Sequence, residues 1–171
     1  MFDRLVEFLI QSMELFRFWI VLDSFEQGVL LRLGKFVRVV EPGLHFMWPF
    51  RIDHVLYESV VPTTHSMGNE SITTKDGKSV GFHAIITYKV HDIRKAMLEI
   101  AETDHAVRDA CQGEVGRVLR DHDWCDIIGS TEILDKLTAA CRKRAFRYGI
   151  EVMSVQLAGL ALVKTIRLMQ N

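Results

Sequence analysis

Val80-Gly81-Phe82-His83-Ala84-Ile85-Ile86-Thr87-Tyr88-Lys89-Val90, followed at once by His91-Asp92-Ile93, is the stretch where the chain declares its architecture. Val80, Phe82, Ala84, Ile86, Tyr88 and Val90 recur at every second position, with Gly81, His83, Thr87 and Lys89 between them and Ile85 as the exception. A period of two belongs to a strand with one face in a core and one in water. At Asp92 the period lengthens to that of a helix, and Asp92 itself is a good N-cap. A β-rich first part therefore hands over to an αβ part, the layout of an α+β fold.

Upstream of this strand, Lys75-Asp76-Gly77-Lys78 is a hairpin turn of the Asp-Gly type. From about Trp19 onward the chain reads as β-branched and aromatic runs broken by turn residues. Gln27–Leu33 and Phe36–Val40 meet at a hairpin around Gly34-Lys35, and Glu41-Pro42-Gly43 suits a turn whose Pro fixes φ and whose Gly takes a positive φ. The Pro-bounded run Gly43-Leu44-His45-Phe46-Met47-Trp48-Pro49-Phe50 is too short for much regular structure, and Pro49 argues against a central strand. It is either a loop buried under a sheet or an exposed apolar tip that enters a bilayer or a partner.

Downstream, Ile93, Ala96, Met97 and Ile100 mark one helix. Thr103 can cap a second bearing Val107, Ala110, Cys111, Val115, Val118 and Leu119. Glu114 falls inside that stripe and must be partnered or near its edge. A third helix begins near Thr131 with Leu134, Leu137, Cys141, Ala145 and Tyr148 at helical spacing. Arg142, Lys143, Arg144 and Arg147 crowd its last turns, favourable against the helix dipole, and Gly149 fits a left-handed stop. Ile150–Val163 is strand-like, and Lys164–Asn171 forms a short tail without a coiled coil.

Residues 1–22 are largely apolar, but Asp3, Arg4, Glu7, Glu14 and Arg17 interrupt them, so they make neither a bilayer-spanning helix nor a secretory signal. At 100° per residue Phe2, Leu5, Val6, Leu9, Met13 and Phe16 share one side, opposite Asp3, Arg4, Glu7, Gln11 and Glu14. An amphipathic helix is expected, lying either on the protein's own core or in the plane of a membrane. Phe18-Trp19 follow with aromatic rings of the kind that settle at headgroup level.

Lys and Arg number 21 against 22 Asp and Glu, a net charge of −1 that supplies no field for nucleic acid. Three cysteines, Cys111, Cys125 and Cys141, lack C-x-x-C spacing and favour a reducing compartment. Gly28 and Gly34-Lys35 miss the phosphate-loop spacing, with Phe36 where a magnesium-binding hydroxyl belongs. His122 and Cys125 lie three apart without a full set of zinc ligands. His45, His54, His65, His83, His91 and His105 are scattered, and no nucleophile and base suggest themselves. No catalytic group, metal or cofactor is expected.

Phe25-Glu26-Gln27-Gly28-Val29, Arg32-Leu33-Gly34-Lys35-Phe36, Glu41-Pro42-Gly43-Leu44-His45-Phe46 and Trp48-Pro49-Phe50 are similar to the opening of the stomatin/prohibitin/flotillin/HflK-HflC superfamily, also called SPFH or band 7. The resemblance continues through Thr73-Thr74-Lys75-Asp76-Gly77, Tyr88-Lys89-Val90 with Asp92, and Tyr148-Gly149-Ile150-Glu151-Val152, covering about residues 20–163. It implies a β-rich SPFH subdomain at 23–72 and an αβ SPFH subdomain at 73–163, which stand between the amphipathic segment at 1–22 and the tail at 164–171. It also implies a non-enzymatic membrane scaffold, monotopic or peripheral, that assembles as a homo-oligomer on one leaflet and organises lipid or regulates a membrane protease or channel.

The expected membrane contacts are Phe2, Leu5, Leu9, Met13, Phe16 and Trp19 in the first segment, and Phe46, Met47, Trp48 and Phe50 in the loop. Two features depart from the family's usual pattern. The chain stops soon after Val163 with no heptads, and its first segment is charged and amphipathic. They point to shallow attachment and to an alternative role, a minimal adaptor that docks on longer band-7 proteins or their protease partner.

Overall fold

The computed structural model describes residues 18–163, so the expectations placed on residues 2–16 and on the tail lie outside the described residues. The elements are β1 (Trp19–Leu22), β2 (Glu26–Arg32), β3 (Lys35–Val40), β4 (Gly43–Phe46), β5 (Asp53–Ser59), β6 (Thr63–Thr73) and β7 (Ser79–Val90), then α1 (Ile93–Leu98), α2 (Thr103–Arg120), α3 (Trp124–Gly129), α4 (Glu132–Ala145), a 3-10 turn (Phe146–Tyr148) and β8 (Ile150–Leu162). The β-rich part precedes the αβ part, as the change of period at Asp92 requires. Among the described residues the strands form three antiparallel sheets, ordered β1-β4, β3-β2-β5 and β6-β7-β8.

β7 is the hub. Its alternate residues Val80, Phe82, Ala84, Ile86, Tyr88 and Val90 are all buried, and those from Phe82 onward join one core with Val107, Cys111, Val115 and Leu119 of α2 and Leu137, Cys141 and Ala145 of α4. Cys111 and Cys141 serve as small packing groups: the Cys141 thiol donates to the Cys111 carbonyl at 3.6 Å. Tyr88 keeps its ring in the core because its hydroxyl donates to the Asp104 carboxylate, while the His65 ring stacks on it with centroids 5.5 Å apart. Burial first, and then that carboxylate, push the Tyr88 phenol far above its ordinary range.

The helix ends follow local chemistry. The Asp92 carboxylate accepts the Lys95 amide at 3.2 Å and caps α1. Thr103 does not cap α2. Glu102 takes that position with φ 54°, and the Thr103 hydroxyl donates instead to the Ala96 carbonyl at 2.8 Å, tying the end of α1 to the start of α2. Glu114 pairs with Arg117 at 2.7 Å, meeting the demand its place in the stripe creates. α3, six residues long, has too little periodicity to be read in advance.

β2 and β3 meet through Leu33 and Gly34, with φ 50° and 78°, the pair of positive values that a two-residue primed turn requires. In the turn between β6 and β7, hydrogen bonds from the Lys78 ammonium, from the Thr74 hydroxyl and, more weakly, from the Trp124 amide pull the Asp76 carboxyl down to about 2. A second, smaller core of Leu22, Leu30, Val40 and Val55, flanked by Ile20 and Met47, lies between the β1-β4 and β3-β2-β5 sheets. β2 serves both cores, sending Val29 into the main one and Leu30 into the small one.

Candidate functional site

Gly43-Leu44-His45-Phe46 is a regular strand, which corrects the expectation of an irregular run. It pairs antiparallel with β1 so that Trp19 faces Phe46 and Val21 faces Leu44. Since alternate residues share a face, Ile20 and Leu22 turn inward to the small core while Trp19, Val21, Leu44 and Phe46 form an outward ladder of two cross-strand apolar pairs. Antiparallel sheets normally carry polar side chains on their solvent face. Here that face is 55% exposed at Trp19 and 75% at Phe46 without a charged group in either pair.

The chain then runs into a turn that extends the patch. Trp48 is 60% exposed and Phe50 56% exposed, so the apolar stretch is an open tip and not a loop buried under the sheet. The Met47 amide donates to the Phe18 carbonyl at 2.7 Å, prolonging the β1-β4 pairing and placing Phe18 beside the turn. Met47 itself is partly buried and leans on the small core. Phe50 and Arg51 hold consecutive positive φ angles of 62° and 58°, a conformation that persists only where its surroundings impose it. The Leu33 amide donates to the Ile52 carbonyl at 2.8 Å and brings the β2-β3 turn, with Leu33 exposed, to the same end of the molecule.

One buried carboxylate organises the turn. Asp53 accepts Arg32 Nε at 2.7 Å and Arg32 Nη2 at 3.0 Å, and its Oδ2 also accepts the Trp48 amide at 3.0 Å. The Arg32 guanidinium, foremost, and the Trp48 amide hold its carboxyl below the usual carboxylate range against the opposing effect of burial. Phe18, Arg32, Phe46, Trp48 and Phe50 surround an open depression of about 620 Å3. Arg32 and Asp53 neutralise each other, and the exposed Arg51 follows Phe50 in the same turn. What this surface offers is desolvation of aromatic rings.

Of the expected contacts, Phe2, Leu5, Leu9, Met13 and Phe16 lie outside the described residues. Trp19, Phe46, Trp48 and Phe50 come together at one end. Val21, Leu44 and Leu33 lie exposed at this end too, and for the first two the matched spacing of Trp19-x-Val21 and Leu44-x-Phe46 is the sequence signal. The Arg32–Asp53 pair has no local sequence signal, because the partners are 21 residues apart. Among the described residues no group of His, Cys, Asp or Glu could hold a metal ion. His122 donates from Nδ1 to the Val118 carbonyl at 2.8 Å and has Lys136 Nζ 3.4 Å from Nε2. Among the described residues no helix is long and apolar enough to cross a membrane.

The family model described as "SPFH domain / Band 7 family" matches residues 20–167. A protein of Archaeoglobus fulgidus described as uncharacterised is 24% identical over 148 residues, covering 86% of this chain and 59% of its own. Protein HflK of Vibrio cholerae is 31% identical over 96 residues, 56% of this chain and 24% of its own. Protein HflC of Buchnera aphidicola is 25% identical over 182 aligned residues, 95% of this chain and 56% of its own. The chain thus spans less than two thirds of the length of each of these relatives.

Proposed function

The chain belongs to the SPFH domain / Band 7 family, and on that premise we propose that it is a non-enzymatic membrane scaffold. In this reading it rests on one leaflet through the aromatic tip, self-associates there, and organises lipid or a membrane protein such as a protease or channel. The observation that carries the reading is the outward Trp19–Phe46 and Val21–Leu44 ladder, continuous with Trp48 and Phe50. A large aromatic side chain moved from water into the acyl boundary gains about 1.5–3 kcal/mol, so several acting together hold a protein to a surface that one would not.

The entry of the chain supports the same reading. Phe18 is fastened beside the tip, so the segment carrying Phe2, Leu5, Leu9, Met13 and Phe16 joins the fold at its aromatic end. Two apolar elements that share one end can face one leaflet together. Attachment of this kind is interfacial and reversible.

Flotation with vesicles of phosphatidylcholine and phosphatidylglycerol tests the proposal. Phe46→Glu with Trp48→Glu is expected to lower the floated fraction at least roughly tenfold, because each change replaces apolar contact by a charge the interface disfavours. Leu9→Glu with Phe16→Glu is expected to act in the same direction. Both substituted tip positions are exposed, so circular dichroism should remain that of the unaltered protein. Equal flotation of the tip variant and the parent would remove the lipid-facing role.

A further inference from the structure

His83 stands half-buried on the outward face of β7, opposite the core, and three residues of β6 converge on its ring. Nδ1 lies 3.0 Å from the Gly68 carbonyl oxygen and 3.1 Å from Asn69 Oδ1, while Nε2 lies 3.3 Å from Ser66 Oγ. A carbonyl can only accept, so the ring proton belongs on Nδ1. Nε2 is then bare and accepts the proton of the Ser66 hydroxyl.

An irregularity in β6 creates the arrangement. Residues three apart on a regular strand point to opposite faces. Here the register shifts between Ser66 and Asn69, so that Ser66 pairs with Ile85 and Asn69 with His83, all on one face. Met67, 3% exposed, anchors the bulge in the main core, and Gly68 takes φ 81°, which a side chain would resist. The bulge thereby sets Ser66 at one nitrogen of the ring and Asn69 at the other.

A hydroxyl bonded to an imidazole whose far nitrogen is held by oxygen acceptors has the parts of an activated nucleophile: attacking group, base and orienting group. The Gly68 amide also donates to Ser66 Oγ at 3.3 Å, favouring negative charge as it develops on that oxygen. Ser66 is exposed, and Gly159, paired with His83, and Gly81, two residues before it, raise no side chain over the ring. Phosphoryl transfer relies on cations around the moving group, and no member of this group is a cation. A neutral acyl carbonyl suits it better. Ile85, the apolar exception on the wet face of β7, lies opposite Ser66 and offers a carbon chain a surface.

We propose that Ser66 is an acyl-acceptor site: Ser66 Oγ attacks the carbonyl carbon of an acyl thioester while His83 Nε2 takes the hydroxyl proton. The bond from that carbon to sulfur breaks, the departing thiolate receives the proton from His83, and the products are a Ser66 ester and a free thiol. Asn69 and the Gly68 carbonyl are positioning groups that hold the ring and touch no reactant. The chain itself is what becomes modified, so the inference goes beyond the scaffold reading and does not depend on it.

The octanoyl thioester of N-acetylcysteamine, offered to the full chain carrying Cys125→Ser, tests the proposal. Cys125 is exposed and would compete for the acyl group, whereas Cys111 and Cys141 are buried. Ser71 is the internal control, exposed on the same strand but opposite Gly81. Peptide mass spectrometry is expected to show Ser66 octanoylated at least roughly tenfold faster than Ser71. His83→Gln should bring Ser66 down to the Ser71 rate with circular dichroism unchanged, and Asn69→Ala should slow it less, because the Gly68 carbonyl still holds Nδ1. Equal rates at Ser66 and Ser71, or a Ser66 rate that His83→Gln leaves unchanged, overturns the inference. If His83→Gln disturbs the fold, the ratio of the two serines in the folded parent decides alone.

Discussion

Asp53→Ala is expected to loosen the aromatic tip while leaving the helical half folded. The substitution removes three hydrogen bonds to a charged acceptor: two from Arg32 and one from the Trp48 amide. A hydrogen bond to a charged group contributes about 1.5–3 kcal/mol. The Arg32 side chain is 44% exposed and keeps much of its hydration, which discounts its share. A net loss on the order of 2–3 kcal/mol remains. Hydrogen exchange at the Leu33, Met47 and Trp48 amides should accelerate by roughly one to two orders of magnitude, with amides of β7 and α2 unaffected. Uniform acceleration across the chain would show that the tip has no separate stability.

The same pair sets an acid dependence whose sign follows from the depressed Asp53 carboxyl. A group whose pKa is lower folded than unfolded stabilises fully above the unfolded value, about 3.9 for Asp, and the contribution disappears as pH falls through the folded value. Tip order, followed by the fluorescence of Trp48, should hold from neutral pH down to about 4 and fall below it. Asp53→Ala should lack that step. Asp76, held down to about 2, titrates in the same window, so Asp76→Asn on its own assigns what remains.

The second large effect is expected at Gly149. It has φ 75°, and a Cβ there would stand 2.5 Å from the Asp92 carbonyl oxygen and 3.0 Å from the Lys95 Cβ. The Gly149 carbonyl accepts the His91 and Asp92 amides at 2.8 and 2.9 Å, so it cannot retreat without releasing the start of α1 from the start of β8. Left-handed backbone costs a residue with a Cβ about 1–2 kcal/mol, and the collision with backbone adds to it. Gly149→Ala should cost about 3 kcal/mol or more and lower Tm by roughly 10 °C. Gly77, with φ 77° but open space around it, isolates the first contribution. Gly77→Ala should cost only about 1 kcal/mol. Thermal unfolding of the two variants side by side makes the comparison, and equal losses would mean that the Asp92 contact is irrelevant.

How legible each element was follows from the range of the interactions that build it. The burial of β7 was plain because alternation is a property of consecutive residues, and the Asp92 cap because its partner Lys95 is three residues away. Gly149 was readable as a helix stop for the same reason. The strand at Gly43–Phe46 was not, since four residues carry little pattern and its pairing partner lies more than twenty residues earlier. Thr103 resembled an N-cap by type and position, but Ala96 offered its hydroxyl a buried carbonyl across the α1–α2 turn. Composition alone singles out the aromatic loop. Whether it pointed in or out depended on the Asp53 carboxylate, the Phe18 carbonyl and the β2-β3 turn, all supplied by tertiary structure.

β2 has a mechanical consequence. Its neighbouring residues Val29 and Leu30 are wedged into different cores, and the Arg94 guanidinium of α1 sits 4.7 Å over the ring of Phe36 in the adjoining strand. Close-packed interiors compress little, so a push on the aromatic end travels along this common beam into the helices.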